Sequence, residues 1–271
     1  MAIDDKMAIG FATDSGFPLQ IALQHAVDSN VQKTGWRVRM VEHGWVHPRD
    51  RETGGYIDLV LVDHSNRHNF VVECKRQRDA AMVFMHHKGV VSERRHARVF
   101  VTDVGPSGVK RNGWHDVQID PKCAEVTFCA VRGQGPNEKN TLLERVGSEL
   151  VMATEALAAT ELSFRATDKN TARMYVPVIV TTAELKVAEF GPETVSLQDG
   201  ELKDAKMHSV PWVRLRKQLG TSEFVAWTPD MFGDTTTPDE LAERTMFVVN
   251  AANLLNFLTI TVEDPTLGTF A

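Results

Sequence analysis

The chain has 271 residues, of which 42% are hydrophobic and 24% charged, and its formal net charge is −6 at pH 7. This length can bury one sizeable core or two small ones, and the composition is that of an ordinary globular protein, which excludes fibrous and disordered classes. The acidic total excludes a surface coated with basic residues for nonspecific DNA binding, although it leaves room for a local basic face.

No stretch of the sequence is predicted to cross a membrane. The most apolar late segment, residues 247–262, is short and is interrupted by three asparagines. The N-terminus has acidic residues where a secretory signal has a basic region and an apolar run. The cysteines, Cys74, Cys123 and Cys129, lack the number and spacing of a disulfide framework or of paired zinc ligands. We therefore expect a cytoplasmic protein in a reducing compartment.

The first third of the chain is predicted to form a helix and then three strands. Residues 18–30 have apolar side chains at helical spacing, and Pro18 suits a first helical turn. Three segments are predicted as strands: 36–45, 56–62 and 70–74. Because only a polar turn separates the last two strands, we expect them to form an antiparallel hairpin.

The remainder is predicted to contain two helices among further strands. Residues 138–164 have the apolar face of an amphipathic helix. Residues 238–257 are predicted as a final helix, with Thr237 as N-cap and Pro238 in the first turn. The predicted strands are 98–102, 125–131, 175–182, 185–190 and 210–215, with 185–190 beside 175–182, and the glycine-rich residues 105–113 are predicted as a loop. One α/β domain is the simplest arrangement.

Charged side chains collect at the end of the predicted hairpin. The first strand is apolar except for Asp58, and the second runs into Glu73, Cys74 and Lys75. Alternate side chains of a strand share a face, so Glu73 and Lys75 point one way and Cys74 points the other. With the turn near Ser65, Asp58 lies opposite Glu73 or Cys74. Three charged groups are therefore expected to converge.

Such charges are costly to bury unless they pair with one another or bind a metal. Asp58, Glu73 and the backbone carbonyl of Cys74 would supply oxygen ligands for Mg²⁺, with Mn²⁺ as the alternative ion. Lys75 would lie beside the metal, where it would orient or help to deprotonate an attacking water and stabilise charge on a phosphate. The alternative is a trio of charges that stabilises the hairpin through ion pairs alone.

This pattern resembles the PD-(D/E)xK, or restriction-endonuclease-like, nuclease superfamily. The family's core is a helix, a three-stranded antiparallel meander, a second helix and a further strand. Its aspartate corresponds to Asp58 and its ExK to residues 73–75, while Ile57 stands where the family motif has proline. A polar residue of the first helix often joins the site in the family, and Gln20 is the best match, in a place where many members have a carboxylate.

The resemblance implies a restriction-endonuclease-like core in residues 1–190, with a middle insertion at about 76–136. It does not explain residues 191–271, a C-terminal extension that we expect to pack on the same domain. It implies a Mg²⁺-dependent nuclease and homo-oligomer that hydrolyses phosphodiester bonds in DNA, or alternatively RNA, in bacterial antiviral defence or repair. Arg76 and Arg78 are expected to bind nucleic acid. The alternative is a non-catalytic nucleic-acid-binding or scaffold protein with the same fold.

Overall fold

The computed structural model describes residues 4–48, 50–77, 81–87, 96–105, 108–131, 142–165, 172–219 and 242–261. The α-helices within these ranges are α1 (Asp5–Asp14), α2 (Phe17–Asp28), α3 (Val31–Thr34), α4 (Leu142–Phe164) and α5 (Leu254–Ile260). The strands are β1 (Trp36–Val46), β2 (Gly54–Asp63), β3 (His68–Lys75), β4 (Ala81–His87), β5 (His96–Val104), β6 (Lys110–Gln118), β7 (Glu125–Val126), β8 (Phe128–Val131), β9 (Arg173–Thr181), β10 (Glu184–Phe190), β11 (Lys206–Ser209), β12 (Trp212–Gln218) and β13 (Glu243–Asn250). The chain is therefore a mixed α/β protein with few helices.

A large mixed sheet forms the centre of the molecule. Its order is β1-β2-β3-β9-β13-β12-β7, and β5 joins beside β9 with β6 beyond it. The first three strands are antiparallel neighbours, whereas β9 runs parallel to β3 along the whole of that strand. On the other side of β9, β5 pairs with its first half and β13 with its second half. Both edges of β9 are thus occupied by neighbouring strands.

A smaller sheet has the order β11-β10-β4-β8. In it β10 is parallel to β4, while β11 and β8 are antiparallel to their neighbours. Apolar residues of β4 and β10 belong to the same core cluster as α4 and one face of the large sheet. A second cluster lies on the opposite face of the large sheet, where α2 and α5 pack. The large sheet is therefore covered by helices on both faces.

Helix α4 is buried over most of its length, because it packs within the first of these clusters. Its buried residues include Val146, Leu150 and Leu157, which follow helical spacing, together with the small residues Ala153 and Ala156. The helix precedes β9 in the chain, so it belongs to the long connection between the parallel strands β3 and β9. Such a connection between parallel strands commonly contains a helix.

Most of the predicted elements are confirmed, including the helix at α2, the antiparallel hairpin of β2 and β3, and the long helix at α4. The predicted strand 125–131 is instead two short strands, β7 and β8, which belong to different sheets. The predicted loop 105–113 is wrong in its second half, because β6 begins at Lys110.

Two further predictions in the second half of the chain are wrong. The segment 185–190 does not pair beside β9, since both edges of β9 are taken, and it joins the smaller sheet as β10. In the final helix predicted at 238–257, β13 replaces residues 243–250, and residues 254–257 are α-helical, as the first turn of α5. Thr237 and Pro238, the predicted N-cap and first turn, lie outside the described residues. Six consecutive residues of β13 are buried, from Arg244 to Val249, which is typical of a strand covered on both faces. The apolar run within it, residues 246–249, is too short to distinguish a buried strand from a buried helix.

The described helices include none with both the length and the apolar character needed to cross a bilayer.

Candidate active site at the end of the β2–β3 hairpin

Strands β2 and β3 separate at the position of Asp58. Their ladder ends at the pair Leu59 and Val72, whereas β3 stays paired with β9 as far as Lys75. Where the ladder stops, the carboxylate of Asp58 accepts a hydrogen bond from the backbone N–H of Cys74, with an N–O distance of 2.6 Å. The aspartate therefore replaces a backbone carbonyl as the acceptor, and this bond fixes its side chain beside the end of β3.

Glu73 and Lys75 form an ion pair next to this aspartate. Lys75 Nζ lies 2.6 Å from Glu73 Oε1, and the two side chains are 34% and 20% exposed. The residues are two apart in β3 and share a face, as the alternation of side chains predicted. Val71, which lies two residues from Glu73, belongs to the α4-side cluster. Glu73 thus lies toward the α4 side of the large sheet, where it lines a cleft with residues of this helix.

The two carboxylates are electrostatically unfavourable neighbours. Burial and then the nearby charge of Asp58 raise the pKa of Glu73 above its usual value, despite the hydrogen bond from Lys75. Burial also raises the pKa of Asp58, and the charge of Glu42 adds to this effect. A pKa raised in the folded state means that the ionised carboxylates cost stability near neutral pH. The site is therefore not optimised for stability as it stands.

Lys75 has the opposite property. Burial would lower the pKa of Lys75, but the hydrogen bond to Glu73 and the charges of Glu73 and Asp58 outweigh burial and raise it. The lysine is therefore a firmly protonated cation at neutral pH. A protonated ammonium favours one of the two roles expected from the sequence, because it can stabilise negative charge but cannot remove a proton from water; both roles stay predictions.

Gln20 reaches the site from α2, but it contacts the backbone of Asp58 and not its carboxylate. Its side-chain Nε2 donates to the carbonyl oxygen of Asp58 at 3.1 Å and to Glu42 Oε1 at 2.7 Å. Gln20 is only 5% exposed. The amide therefore joins three elements, α2, β1 and β2, at the level of Asp58.

Glu42 was not found by sequence reasoning. It lies in β1 between Val41 and His43, which pair with the residues on either side of Asp58. Its backbone has φ of 49°, a left-handed conformation that is unusual for glutamate. Nothing in the local sequence marks this residue, since a single glutamate in a half-exposed strand is ordinary. Its proximity to Asp58 arises from the pairing of β1 with β2.

The thiol of Cys74 faces the opposite cluster from Glu73, as predicted. It packs against the apolar residues on the α2 side of the sheet. Burial, followed by the charges of Asp58 and Glu73, raises the pKa of this thiol well above its usual value. A neutral thiol is neither a good nucleophile nor a good metal ligand. The residue contributes its backbone N–H to the site, and its neutral thiol also hydrogen-bonds the carboxylate of Asp58.

A cleft of about 330 Å³ opens beside Glu73. One wall is the end of the β1–β2 hairpin, and the other is α4. Its lining residues are Trp45, Glu52, Thr53, Gly54, Gly55, Tyr56, Glu73, Val146, Glu149, Leu150, Met152 and Ala153. Sequence reasoning missed the contribution of α4, including Glu149, whose charge helps to raise the pKa of Glu73. Glu149 is separated from Glu73 by 76 residues, so no local pattern connects them.

The basic residues expected to bind nucleic acid are only partly described. Arg76 follows Lys75 directly, and its Nη1 lies 3.0 Å from Asp14 Oδ1 at the end of α1. The guanidinium is therefore paired with an acidic side chain that a phosphate would have to displace. Arg78 lies outside the described residues, so its expected role stays a prediction.

The donor set can be compared with what each metal ion requires. Among the described residues, no group of three or more histidines, cysteines, aspartates or glutamates could hold a metal. A closed zinc site with four protein ligands does not fit this arrangement. Mg²⁺ is commonly held by one or two carboxylates, with carbonyl oxygens and waters completing its shell. Asp58, Glu73 and the carbonyl of Cys74 match this requirement, and a cation would relieve the repulsion between the two carboxylates.

Comparisons with known proteins returned nothing for this chain. Neither the protein-family models, nor the curated proteins, nor the solved structures include a match. The chemistry of the site is therefore inferred from its own residues and their geometry.

Proposed function

We propose that this protein is a Mg²⁺-dependent nuclease that hydrolyses phosphodiester bonds, with DNA as its main substrate. The observation that carries the proposal is the arrangement at the end of the hairpin. There the carboxylate of Asp58 is held by the backbone N–H of Cys74, beside the Glu73–Lys75 ion pair. Two neighbouring carboxylates disfavour each other's ionisation, and a divalent metal bound between them would relieve this repulsion. The protonated Lys75 beside them is suited to a phosphate.

The topology around the site supports a restriction-endonuclease-like core. Such a core consists of a helix, a three-stranded antiparallel meander, a helix and a further strand. Here α2 precedes the meander of β1, β2 and β3, and α4 precedes β9, which is parallel to β3. The candidate residues lie where β2 and β3 separate. This agreement between topology and site is what the resemblance to PD-(D/E)xK nucleases predicts.

The residues would act by positioning and by charge. Asp58 is oriented by its hydrogen bond from Cys74, and Glu73 by Lys75. A bound Mg²⁺ would act as a Lewis acid and lower the pKa of its water. Lys75 stays protonated, so it would stabilise the negative charge that grows on the phosphate in the transition state. Gln20 holds the backbone of Asp58 and does not contact the reacting atoms.

The experiment is cleavage of circular DNA, linear DNA and RNA, each measured with Mg²⁺, with Mn²⁺ and with EDTA. Asp58→Asn and Glu73→Gln should abolish metal-dependent cleavage, because each removes a charged oxygen ligand at nearly constant volume. Lys75→Met should lower kcat and leave Mg²⁺ binding largely intact, since the ammonium does not ligate the metal. Glu201→Gln, at an exposed site elsewhere, is the matched control and should cleave as the unmodified protein does.

Cleavage at the normal rate by a folded Asp58→Asn or Glu73→Gln protein would refute the assignment. So would the absence of cleavage of every substrate with either metal. Loss of Mg²⁺ binding in Lys75→Met, measured by calorimetry, would contradict only the role assigned to the lysine.

A second candidate function is a non-catalytic binding or scaffold protein in which these charges are structural. This function is favoured by the direct ion pair between Glu73 and Lys75. It is also favoured because the described residues include no group of three or more histidines, cysteines, aspartates or glutamates that could hold a metal ion. The two functions predict different stabilities for Asp58→Asn. A structural trio requires this variant to be less stable, by about 1–3 kcal/mol. A functional site predicts equal or greater stability, because the raised pKa of Asp58 shows that its charge opposes folding.

A further inference from the structure

The cleft beside Glu73 has a shape and lining that the proposed hydrolysis does not itself require. Its volume of about 330 Å³ is in the range of small-molecule sites. The floor is apolar, because Leu150 and Ala153 of α4 are almost fully buried there. At the rim, the ring of Tyr56 is 68% exposed. Tyr56 precedes Asp58 by two residues in β2, so the cleft and the candidate site adjoin.

Trp45 and Tyr56 form an aromatic wall of the cleft, and two glycines make space for it. A side chain at Gly54 would bring its Cβ within 2.6 Å of the carbonyl oxygen of Trp45, and one at Gly55 would bring its Cβ within 3.4 Å of the Trp45 indole nitrogen. The absence of side chains at these positions lets β1 and β2 approach closely and keeps the indole against the backbone. Tyr56 then lies over Gly44, where a side chain would meet the tyrosine ring at 3.7 Å. The sequence thus leaves space for a flat aromatic surface.

The charges of the described lining residues disfavour a phosphate as the occupant of the cleft. Glu52, Glu73 and Glu149 contribute carboxylates, and no lysine or arginine is among the described lining residues. A suitable ligand has apolar faces that stack on Tyr56 and N–H groups at its edge that donate to carboxylates. Nucleobases have both properties, and carboxylates accept hydrogen bonds from the exocyclic amine of cytosine.

We propose that this cleft binds one unpaired nucleobase of the substrate, next to the phosphodiester at Asp58, Glu73 and Lys75. The substrate class is then single-stranded nucleic acid or a single-stranded end, because a paired base cannot present its hydrogen-bonding edge to Glu149. This inference rests on the proposed nuclease function for its substrate, but it concerns binding and is tested separately from cleavage. Bases with an amino group are preferred over thymine and uracil.

The test measures binding of labelled single-stranded oligo(dC) and oligo(dT) by fluorescence anisotropy, with Ca²⁺ in place of Mg²⁺. Tyr56→Ala should weaken binding to oligo(dC) by about tenfold to a hundredfold, the usual effect of losing one stacking side chain. Tyr56→Phe, which keeps the ring, should bind normally. Phe164→Ala removes another strongly exposed aromatic residue, 82% exposed at the end of α4, and is the control that should change nothing.

Two further measurements test the edge of the base. Glu149→Gln should reduce the preference for oligo(dC) over oligo(dT). Duplex DNA of the same length should compete weakly. Equal binding by Tyr56→Ala and the unmodified protein, equal competition by duplex, or no binding of either oligonucleotide would each overturn the inference. Because Tyr56 is exposed, its variants are expected to have the same Tm as the unmodified protein, and this is checked first.

Cleavage assays on the same proteins separate this inference from the proposed function. Tyr56-dependent binding without any metal-dependent cleavage would overturn the nuclease and leave the base-binding cleft standing. Cleavage of single-stranded DNA that is unaffected by Tyr56→Ala would overturn the base-binding cleft and leave the nuclease standing.

Discussion

Replacement of Gln20 tests how Asp58 is held in place, and the test does not depend on any substrate. Gln20→Leu removes the amide that bonds the carbonyl oxygen of Asp58 at 3.1 Å and Glu42 Oε1 at 2.7 Å. Gln20→Glu keeps the size but replaces the donor with a carboxylate. At a residue that is only 5% exposed, that carboxylate would face two acceptors and no donor.

The hydrogen bonds set the expected size of each effect. The bond to the Asp58 carbonyl should contribute about 1 kcal/mol, and the bond to Glu42 about as much, because water can replace the amide at that exposed carboxylate. Gln20→Leu should therefore lower the free energy of unfolding by about 2 kcal/mol. Gln20→Glu should lower it by about 4 kcal/mol, since a buried charge is added to the two lost bonds.

Adding Glu42→Gln to Gln20→Glu supplies a donor amide on the other side of the same contact. This should recover about 2 kcal/mol, but not the bond to Asp58, because a carboxylate at position 20 still cannot donate to a carbonyl. Burial raises the pKa of the introduced carboxylate in the folded state. Its penalty is therefore complete above that pKa and fades as the pH falls and the group becomes protonated.

The assay is urea unfolding of the single and double variants at neutral and mildly acidic pH, analysed as a double-mutant cycle. Gln32→Glu, at an exposed position in α3, is the control and should lie within about 0.5 kcal/mol of the unmodified protein. If Gln20→Glu is as stable as the control, or if Glu42→Gln recovers nothing, the role assigned to this amide is wrong.

Three further predictions concern other parts of the structure. Cys74→Ala should cost about 1 kcal/mol in thermal unfolding and leave DNA cleavage intact, because the variant keeps the backbone N–H that holds the carboxylate of Asp58 at 2.6 Å; an inactive folded variant would contradict this. Asp63→Asn should lower the free energy of unfolding by about 2 kcal/mol at pH 7. Burial alone would raise the pKa of Asp63, but hydrogen bonds from His68 and from the turn outweigh burial and hold this pKa well below its usual value. The stabilisation by ionised Asp63 is complete above about pH 4 and is lost as the pH falls toward the pKa of this group in the folded protein. The difference in unfolding free energy between the unmodified protein and Asp63→Asn should therefore shrink in acid, and a difference that grows would contradict this prediction. Asp116→Ala should cost about 3–5 kcal/mol, because it leaves Arg98, only 1% exposed, without the carboxylate that lies 2.6 Å away; an unchanged Tm would refute this reasoning.

The hairpin and the three charged residues at its end could be predicted because they depend on short-range features. A polar turn between two apolar strands fixes the register within one residue, and the alternation of side chains then assigns faces. The ladder of Leu59 with Val72 places Asp58 at the end of β3, as expected. The same alternation placed Cys74 on the opposite face from Glu73.

Only the tertiary structure decided which other groups meet these residues. Glu42 reaches Asp58 through the pairing of β1 with β2, and Glu149 faces Glu73 because α4 packs on that face of the sheet. The apolar segment at β13 is a strand because β9 and β12 hydrogen-bond to both of its edges. Local sequence determines periodicity and turns, whereas the free energy of long-range strand pairing and helix packing depends on residues far away in the chain. For this reason neither the cleft nor β13 could be predicted from the sequence of its own segment.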